Sequence, residues 1–202
     1  MDRQDRVQGR GRRDHVMRRL VEESRGAALL EFAFMMPLLA AMAVGIYSFG
    51  SVCLMKDKLA EAVRDGARIA AGQPRDFSTT TCSLGGSSYN VPCSVAAAMT
   101  TMVNDLNSFN MTACTVNPSA AALGNYAWSY SSSSASCNGN PIFEIERNVQ
   151  VASGGVTLFL TRVTVNYPVT WSFASVLKLL APSSNLPSSF WITAQAVMPN
   201  LS

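Results

Sequence analysis

The distribution of apolar and polar positions divides the chain into three stretches before any single residue is weighed. Residues 1–25 are polar and charged, residues 32–55 read FAFMMPLLAAMAVGIYSFGSVCLM without a charge, and the remainder alternates short apolar stretches with polar turns. At 1.5 Å per residue, the 24 uncharged residues make a helix long enough for a hydrocarbon core of roughly 30 Å. Past Met55 the apolar positions thin to Leu59, Ala62, Val63, Gly66, Ile69 and Ala70, the three- and four-residue spacing of an amphipathic helix. Gly72 and Pro74 stop it. The pattern predicts one helix over 27–71, apolar all round in its first part and one-sided in its second.

Residues 76–202 carry weaker periodicities. Val95, Ala98, Met99, Met102, Val103 and Leu106 follow helical spacing, with Ser94 as the expected N-cap. Ile142–Val151, Val156–Pro168 and Phe190–Met198 are rich in β-branched and aromatic residues and read as strands, with Gly154-Gly155 as a hairpin turn. Phe173, Val176, Leu177 and Leu180 predict a short helix ending before Pro182, and Ser129–Ser136 reads as a solvated loop. The fold class is α+β: a long N-terminal helix packed on a small antiparallel sheet with a short extra helix.

Charge changes the picture at the N-terminus. Eight arginines stand against Asp2, Asp5, Asp14, Glu22 and Glu23 in residues 1–25, which accounts for the whole net charge of +3. From Ala27 onward eight basic residues face eight carboxylates, so this part is near neutral and nucleic-acid binding is not expected. A basic stretch beside an apolar span holds its own side in the cytoplasm, which puts residues 76–202 in the periplasm. There Cys82, Cys93, Cys114 and Cys137 form an even set that predicts two disulfides, with three pairings open. Cys53, in the apolar run, reads as packing.

Chemistry beyond this is sparse. The only histidine, His15, lies in the basic stretch and no C-x-x-C occurs, so neither a zinc site nor a nucleophile with its usual base is expected. No phosphate-binding glycine loop is present either, and the reading is of a non-enzyme without cofactor or metal. Glu144 and Glu146 share a strand face, which reads as solvent-facing rather than as a paired-carboxylate or calcium site.

Three fates are open to the apolar run. A secretory signal cleaved after Ala41-Met42-Ala43 would leave a dozen apolar residues beyond the cut, too long for an h-region of about 7–15 residues. The arginine pairs at 12–13 and 18–19 do not make a twin-arginine signal, because Glu22 and Glu23 separate them from the apolar run. A permanent single-pass anchor, carrying a periplasmic binding or adhesion domain, would treat Glu31 as a snorkelling residue.

The third fate follows from the local sequence. Ser24-Arg25-Gly26-Ala27-Ala28-Leu29-Leu30-Glu31-Phe32 places a glycine at the end of the basic stretch, then four apolar residues, glutamate and an aromatic. This resembles the type IV pilin junction, and in particular the Flp and TadE-like subunits of the tight-adherence (Tad) pilus system. The similarity continues through Leu59-Ala60-Glu61-Ala62-Val63-Arg64-Asp65-Gly66-Ala67-Arg68-Ile69-Ala70-Ala71, close to the form "ARxGAR-AA" of TadE-like proteins. Val163–Pro168 and Ile192–Met198 look like that family as well. The length argues against a major Flp pilin, which is much shorter.

The resemblance implies a minor pilin or pseudopilin in the bacterial inner membrane. Residues 1–26 would be a leader removed between Gly26 and Ala27 by a prepilin peptidase, 27–71 the helix with its span at about 32–55, and 76–202 the periplasmic domain. It implies other pilin or pseudopilin subunits and an inner-membrane assembly platform as partners, and Glu31 as the assembly residue, paired with a neighbour's terminal amine. A side-chain-free residue before the scissile bond suits close approach by a protease backbone. An unpaired carboxylate one turn into an apolar helix costs about 2–3 kcal/mol, and pairing offsets that cost. Pro37 removes one helical hydrogen bond; a kink there and the ordinary frequency of proline in membrane helices are equal readings. Gly45 and Gly50, five apart, do not form a G-x-x-x-G face.

Overall fold

The computed structural model describes residues 5–73, 81–112, 114–124, 126–134, 137, 141–170 and 189–200, with the backbone alone for 5–25, 141 and 153. The chain divides into two units, residues 1–47 and 48–202. Helix α1, Asp5–Gly72, runs through both and includes Pro37 without a break in its assignment. It begins upstream of the expected start at Ala27, because no residue between Asp5 and Ala27 interrupts the backbone ladder; Gly9, Gly11 and Gly26 lower helix propensity but keep their N–H groups.

In the first unit the side chains from Gly26 on are almost all exposed, with Leu29, Phe34, Ile46 and Tyr47 each at least 70% exposed. Apolar side chains at this density on every face have no aqueous solution in a lone helix. Among the described residues one helix is long and apolar enough to cross a membrane, within Gly26–Gly72. The stretch Gly26–Tyr47 of about 22 residues spans roughly 33 Å.

The second unit begins on the same helix at Ser48, where one face becomes covered: Ser48 is buried, and Val52 and Met55 pack against the core. From Leu59 the inward stripe is Leu59, Ala62, Val63, Gly66, Ala67, Ala70 and Ala71. Ile69, expected in the stripe, is exposed and Ala67 takes the inward place, since the covered arc is centred nearer Val63 and Ala67 than Ala62.

A small hairpin of β1 (Cys82–Leu84) and β2 (Ser87–Tyr89) precedes α2 (Cys93–Ser108). Sequence periodicity placed α2 correctly but not its start. Pro92 occupies the N-cap, its carbonyl accepting from Val95 N–H and Ala96 N–H at 3.0 Å, and Ser94 lies buried inside the first turn. At the other end Asn110, at φ 58°, turns the chain out of the helix while Met111 N–H donates to the Leu106 carbonyl at 2.8 Å, the closure of a Schellman-type cap.

Five antiparallel strands follow as a meander: β3 (Ala121–Gly124), β4 (Ala127–Ser131), β5 (Pro141–Ser153), β6 (Val156–Thr170) and β7 (Ser189–Pro199), in that spatial order. β5, β6 and β7 match the expected strands, and Gly154 (φ 60°) with Gly155 (φ 80°) makes the two-residue turn that needs positive φ twice. The stretch expected as a loop at Ser129–Ser136 is instead partly sheet. Ser129–Ser131 lie in β4, Ser132 bridges to Val116, and Ser132 Oγ donates to the Thr115 carbonyl at 2.9 Å. Serine hydroxyls complete the edge where the backbone ladder stops. The helix expected around Phe173–Leu180 lies outside the described residues.

Strand alternation sorts the sheet. One face presents Trp128 and Tyr130, Phe143 and Ile145, Val163, Val165, Tyr167 and Val169, and Ile192 and Ala194 to a core shared with α1 and α2. The other face is polar: Glu144 stands opposite Thr164, and Glu146 pairs with Arg162 at 3.1 Å. Both glutamates thus lie half-buried on the outer face of the sheet, and Glu146 is paired. The architecture is the α+β fold predicted from the pattern.

Candidate functional site

The sequence motif around Gly26 is built on a regular stretch of α1. Ala27, Ala28, Leu29, Leu30 and Glu31 are good helix formers, and Gly26 alone works against the helix, by about 1 kcal/mol relative to alanine. A Cβ placed on Gly26 would meet nothing within 4 Å. The fold of the chain therefore supplies no internal reason for a glycine here, in contrast to Gly66. There a Cβ would lie 2.6 Å from Met102 Cγ and 2.7 Å from its sulfur.

Ala27 and Glu31 are four residues apart and so share one face of α1, one turn from each other. Glu31 is exposed and makes no hydrogen bond or ion pair with any described residue. Its neighbours on the helix surface are Ala27, Ala28, Phe34 and Met35, the last two more than half exposed. The arrangement is a carboxylate on an apolar, laterally open surface, chemically suited to a cationic partner and to little else. Pro37 stands a turn and a half further on; its missing N–H leaves the Ala33 carbonyl without the usual helical donor.

The second motif, Glu61–Ala71, has a packing meaning. Its pairs Ala62-Val63, Gly66-Ala67 and Ala70-Ala71 are buried, while Glu61, Arg64, Asp65, Arg68 and Ile69 are exposed. The small residues let α2 approach, and Met102, fully buried, lies where a Gly66 side chain would be. Neither Glu61 with Arg64 nor Asp65 with Arg68, each three apart on the exposed face, forms an ion pair; on a solvated face the entropy of holding two long side chains outweighs the screened attraction. Glu61 and Asp65 instead act on Asp105 of α2. Its carboxyl is pushed above the ordinary carboxylate range by burial first, then by repulsion from Asp65 and Glu61. Lys58 lies over the Phe109 ring at 5.5 Å, a further tie between α1 and the end of α2.

The four cysteines beyond α1 pair in sequence order. Cys82–Cys93 joins the β1–β2 hairpin to the start of α2, with Cα atoms 4.9 Å apart, and Cys114–Cys137 closes a 23-residue loop at 5.8 Å. Cys53 is free and exposed. Among the described residues no cluster of three or more histidine, cysteine, aspartate or glutamate side chains is arranged to hold a metal ion.

One residue escaped the sequence reading. Arg147 is completely buried and its Nη2 donates to the Gln73 carbonyl at 3.2 Å, just past the end of α1. A cation at that end satisfies an otherwise orphaned carbonyl and complements the helix dipole. The signal was available: Phe143, Ile145 and Arg147 have the same strand parity, so the alternation that buries the first two points the arginine inward as well.

Residues 26–68 match the family model described as TadE-like protein. The matched segment begins at Gly26, runs through Glu31 and the apolar stretch, and ends in the buried small-residue stripe; it covers about a fifth of the 202 residues. No curated protein and no solved structure matches the chain.

Proposed function

We propose that this chain is a minor pilin or pseudopilin of a Tad pilus, a non-enzymatic subunit cut between Gly26 and Ala27 by a prepilin peptidase and assembled through Glu31. The TadE-like match over residues 26–68 supports a Tad pilus-associated protein, and the apolar N-terminal helix is compatible with single-pass anchoring in such a system. One coincidence carries the finer reading: the match begins at the residue where the basic charge ends, and five positions later stands a carboxylate that makes no hydrogen bond or ion pair with any described residue.

Cleavage after Gly26 converts that arrangement into a pair of complementary groups. The new α-amine of Ala27 and the carboxylate of Glu31 would lie on one face of one helix, each costly in lipid alone. Neighbouring subunits staggered along a filament offer each other the missing counter-charge. The gain from such a buried pair lies in axial register more than in net stability. Cleavage inside a helix requires local opening, and the propensity penalty of Gly26, with open space around its Cα, favours opening there. With the basic segment on the cytoplasmic side, the two disulfides fall in the oxidising periplasm. Partners on this reading are the peptidase, other pilin or pseudopilin subunits and the inner-membrane assembly platform.

The rival reading is a permanent anchor, favoured by the unbroken run of α1 through Gly26. The two differ in the mature N-terminus. Intact-mass and N-terminal mass spectrometry of the protein from cells with and without prepilin peptidase should find Ala27 only when the enzyme is present. Recovery of the full leader in normal cells would establish the permanent anchor instead.

A further inference from the structure

β5 and β6 outrun the sheet they belong to. β4 pairs with β5 no further than Glu146, with Arg147 N–H donating to the Tyr126 carbonyl at 2.8 Å, and β7 reaches β6 only as far as Leu160. On the β6 side Asn200 N–H still donates to the Phe159 carbonyl at 3.0 Å, and past it β5 and β6 continue as a two-stranded arm, Val151–Ser153 paired with Val156–Leu158. The arm is set off by a bulge between Arg147 and Val149, where Asn148 sits at φ 76°. From Gln150 to Leu158 every described side chain is exposed, including Val151, Val156 and Leu158.

Three properties of this arm are unusual together. An isolated two-stranded ribbon is marginal in water. Its β5 edge beyond Arg147 has no partner among the described residues. Natural proteins protect such edges with charges or prolines, yet none occurs from Asn148 to Thr161. The bulge also shifts the side-chain parity of β5. Val149 and Val151 thereby come to the same face as Leu158 and Leu160, the polar outer face of the sheet further down.

We infer that the arm is a self-association element, which pairs its free β5 edge antiparallel with the β5 edge of a second copy of this chain. A two-fold axis through Val151 sets Val151 against Val151 and Val149 against Ser153, so open backbone groups meet open backbone groups and no like charges oppose. An uncharged edge offers nothing to a basic or acidic partner, whereas a copy supplies both the matching length and the matching neutrality. Its size sets the strength. A contact of about six residues per copy falls well short of the roughly 1,200 Å² of a stable interface. It therefore acts between copies already concentrated by a shared membrane or filament. This pairing does not depend on cleavage at Gly26.

The test uses the full chain in membranes, in a Cys53→Ser background. Val151→Cys, oxidised with copper phenanthroline, should give a crosslinked species of twice the chain mass, while Gln195→Cys on the sheet's outer face should give little. Gln150→Lys or, separately, Ala152→Lys, both exposed positions of β5 on the paired edge itself, should lower the Val151→Cys crosslink severalfold by setting like charges within about 8 Å across the two strands, with both native disulfides retained on non-reducing gels. The inference fails if the Val151→Cys dimer is absent or no stronger than that of Gln195→Cys, if neither lysine affects it, or if the product has the mass of a different partner.

Discussion

Glu31 and Asp105 are both carboxylates in unfavourable surroundings, and they differ in what would relieve them. Glu31 lies on an apolar surface with no counter-charge among the described residues, so on the proposed reading its relief comes from a neighbouring subunit. Glu31→Ala should leave the membrane-bound fraction unchanged and abolish recruitment into filaments, as read by fractionation and by immunolabelling of sheared pili; Glu31→Gln should fail likewise, since it keeps the shape and loses the charge. Asp105 is strained by burial and by Asp65 and Glu61 across the helix pair, so its relief is protonation. A carboxyl whose folded-state pKa is raised favours folding when protonated and loses that advantage as pH rises through the raised value. At neutral pH the native chain therefore carries the full penalty. Asp105→Asn should raise Tm at pH 7 relative to the parent, and the difference should shrink as pH falls into the carboxylate range; a gap independent of pH would contradict this account.

At the scale of elements, the contact of α1 with α2 is decided by one missing side chain. Gly66→Ala would place its Cβ inside the radius of Met102, whose side chain is fully buried, so the change should cost about 1–3 kcal/mol of overpacking. Chemical denaturation of the full chain in detergent reads this directly, and Gly26→Ala, with open space around it, should leave stability unchanged or slightly improved. The disulfides give a second comparison. Removing Cys114–Cys137 by paired serine substitution should cost roughly 0.7 kcal/mol more than removing Cys82–Cys93, from loop entropy alone, because the closed segments are 23 and 11 residues long. The strong periodicities of the second part of α1 and of α2, β5, β6 and β7 were legible in the sequence, since each buries one side of a long regular element. β1 to β4 were not, being three to five residues long, too short for a period to establish itself among serines and glycines. Gly85-Gly86, at φ 59° and 83°, was the overlooked hairpin signal.

For the whole molecule, charge and hydrophobicity along the chain partition it into a basic N-terminal segment, an apolar helix and a near-neutral folded domain. Sixteen basic and thirteen acidic residues are present; eight and five of them precede Gly26, so eight of each remain beyond it. These are one-dimensional properties, additive over residues, and sequence alone determines them: the α+β class, the long two-part helix, the main strands and the isolated carboxylate at Glu31. Tertiary structure decided what depends on residues distant in the chain. It selected one disulfide pairing from three, turned Ser94 into a buried helix residue rather than a cap, and converted part of the serine-rich stretch into strand β4, inside the sheet. It also brought Arg147 to the Gln73 carbonyl, 74 positions away, and left the β5 edge of the arm without a strand partner among the described residues. The reason is common to all of these: periodicity records which side of an element is buried, whereas the group that meets a given side chain is set by register and packing between elements, and no local pattern encodes that.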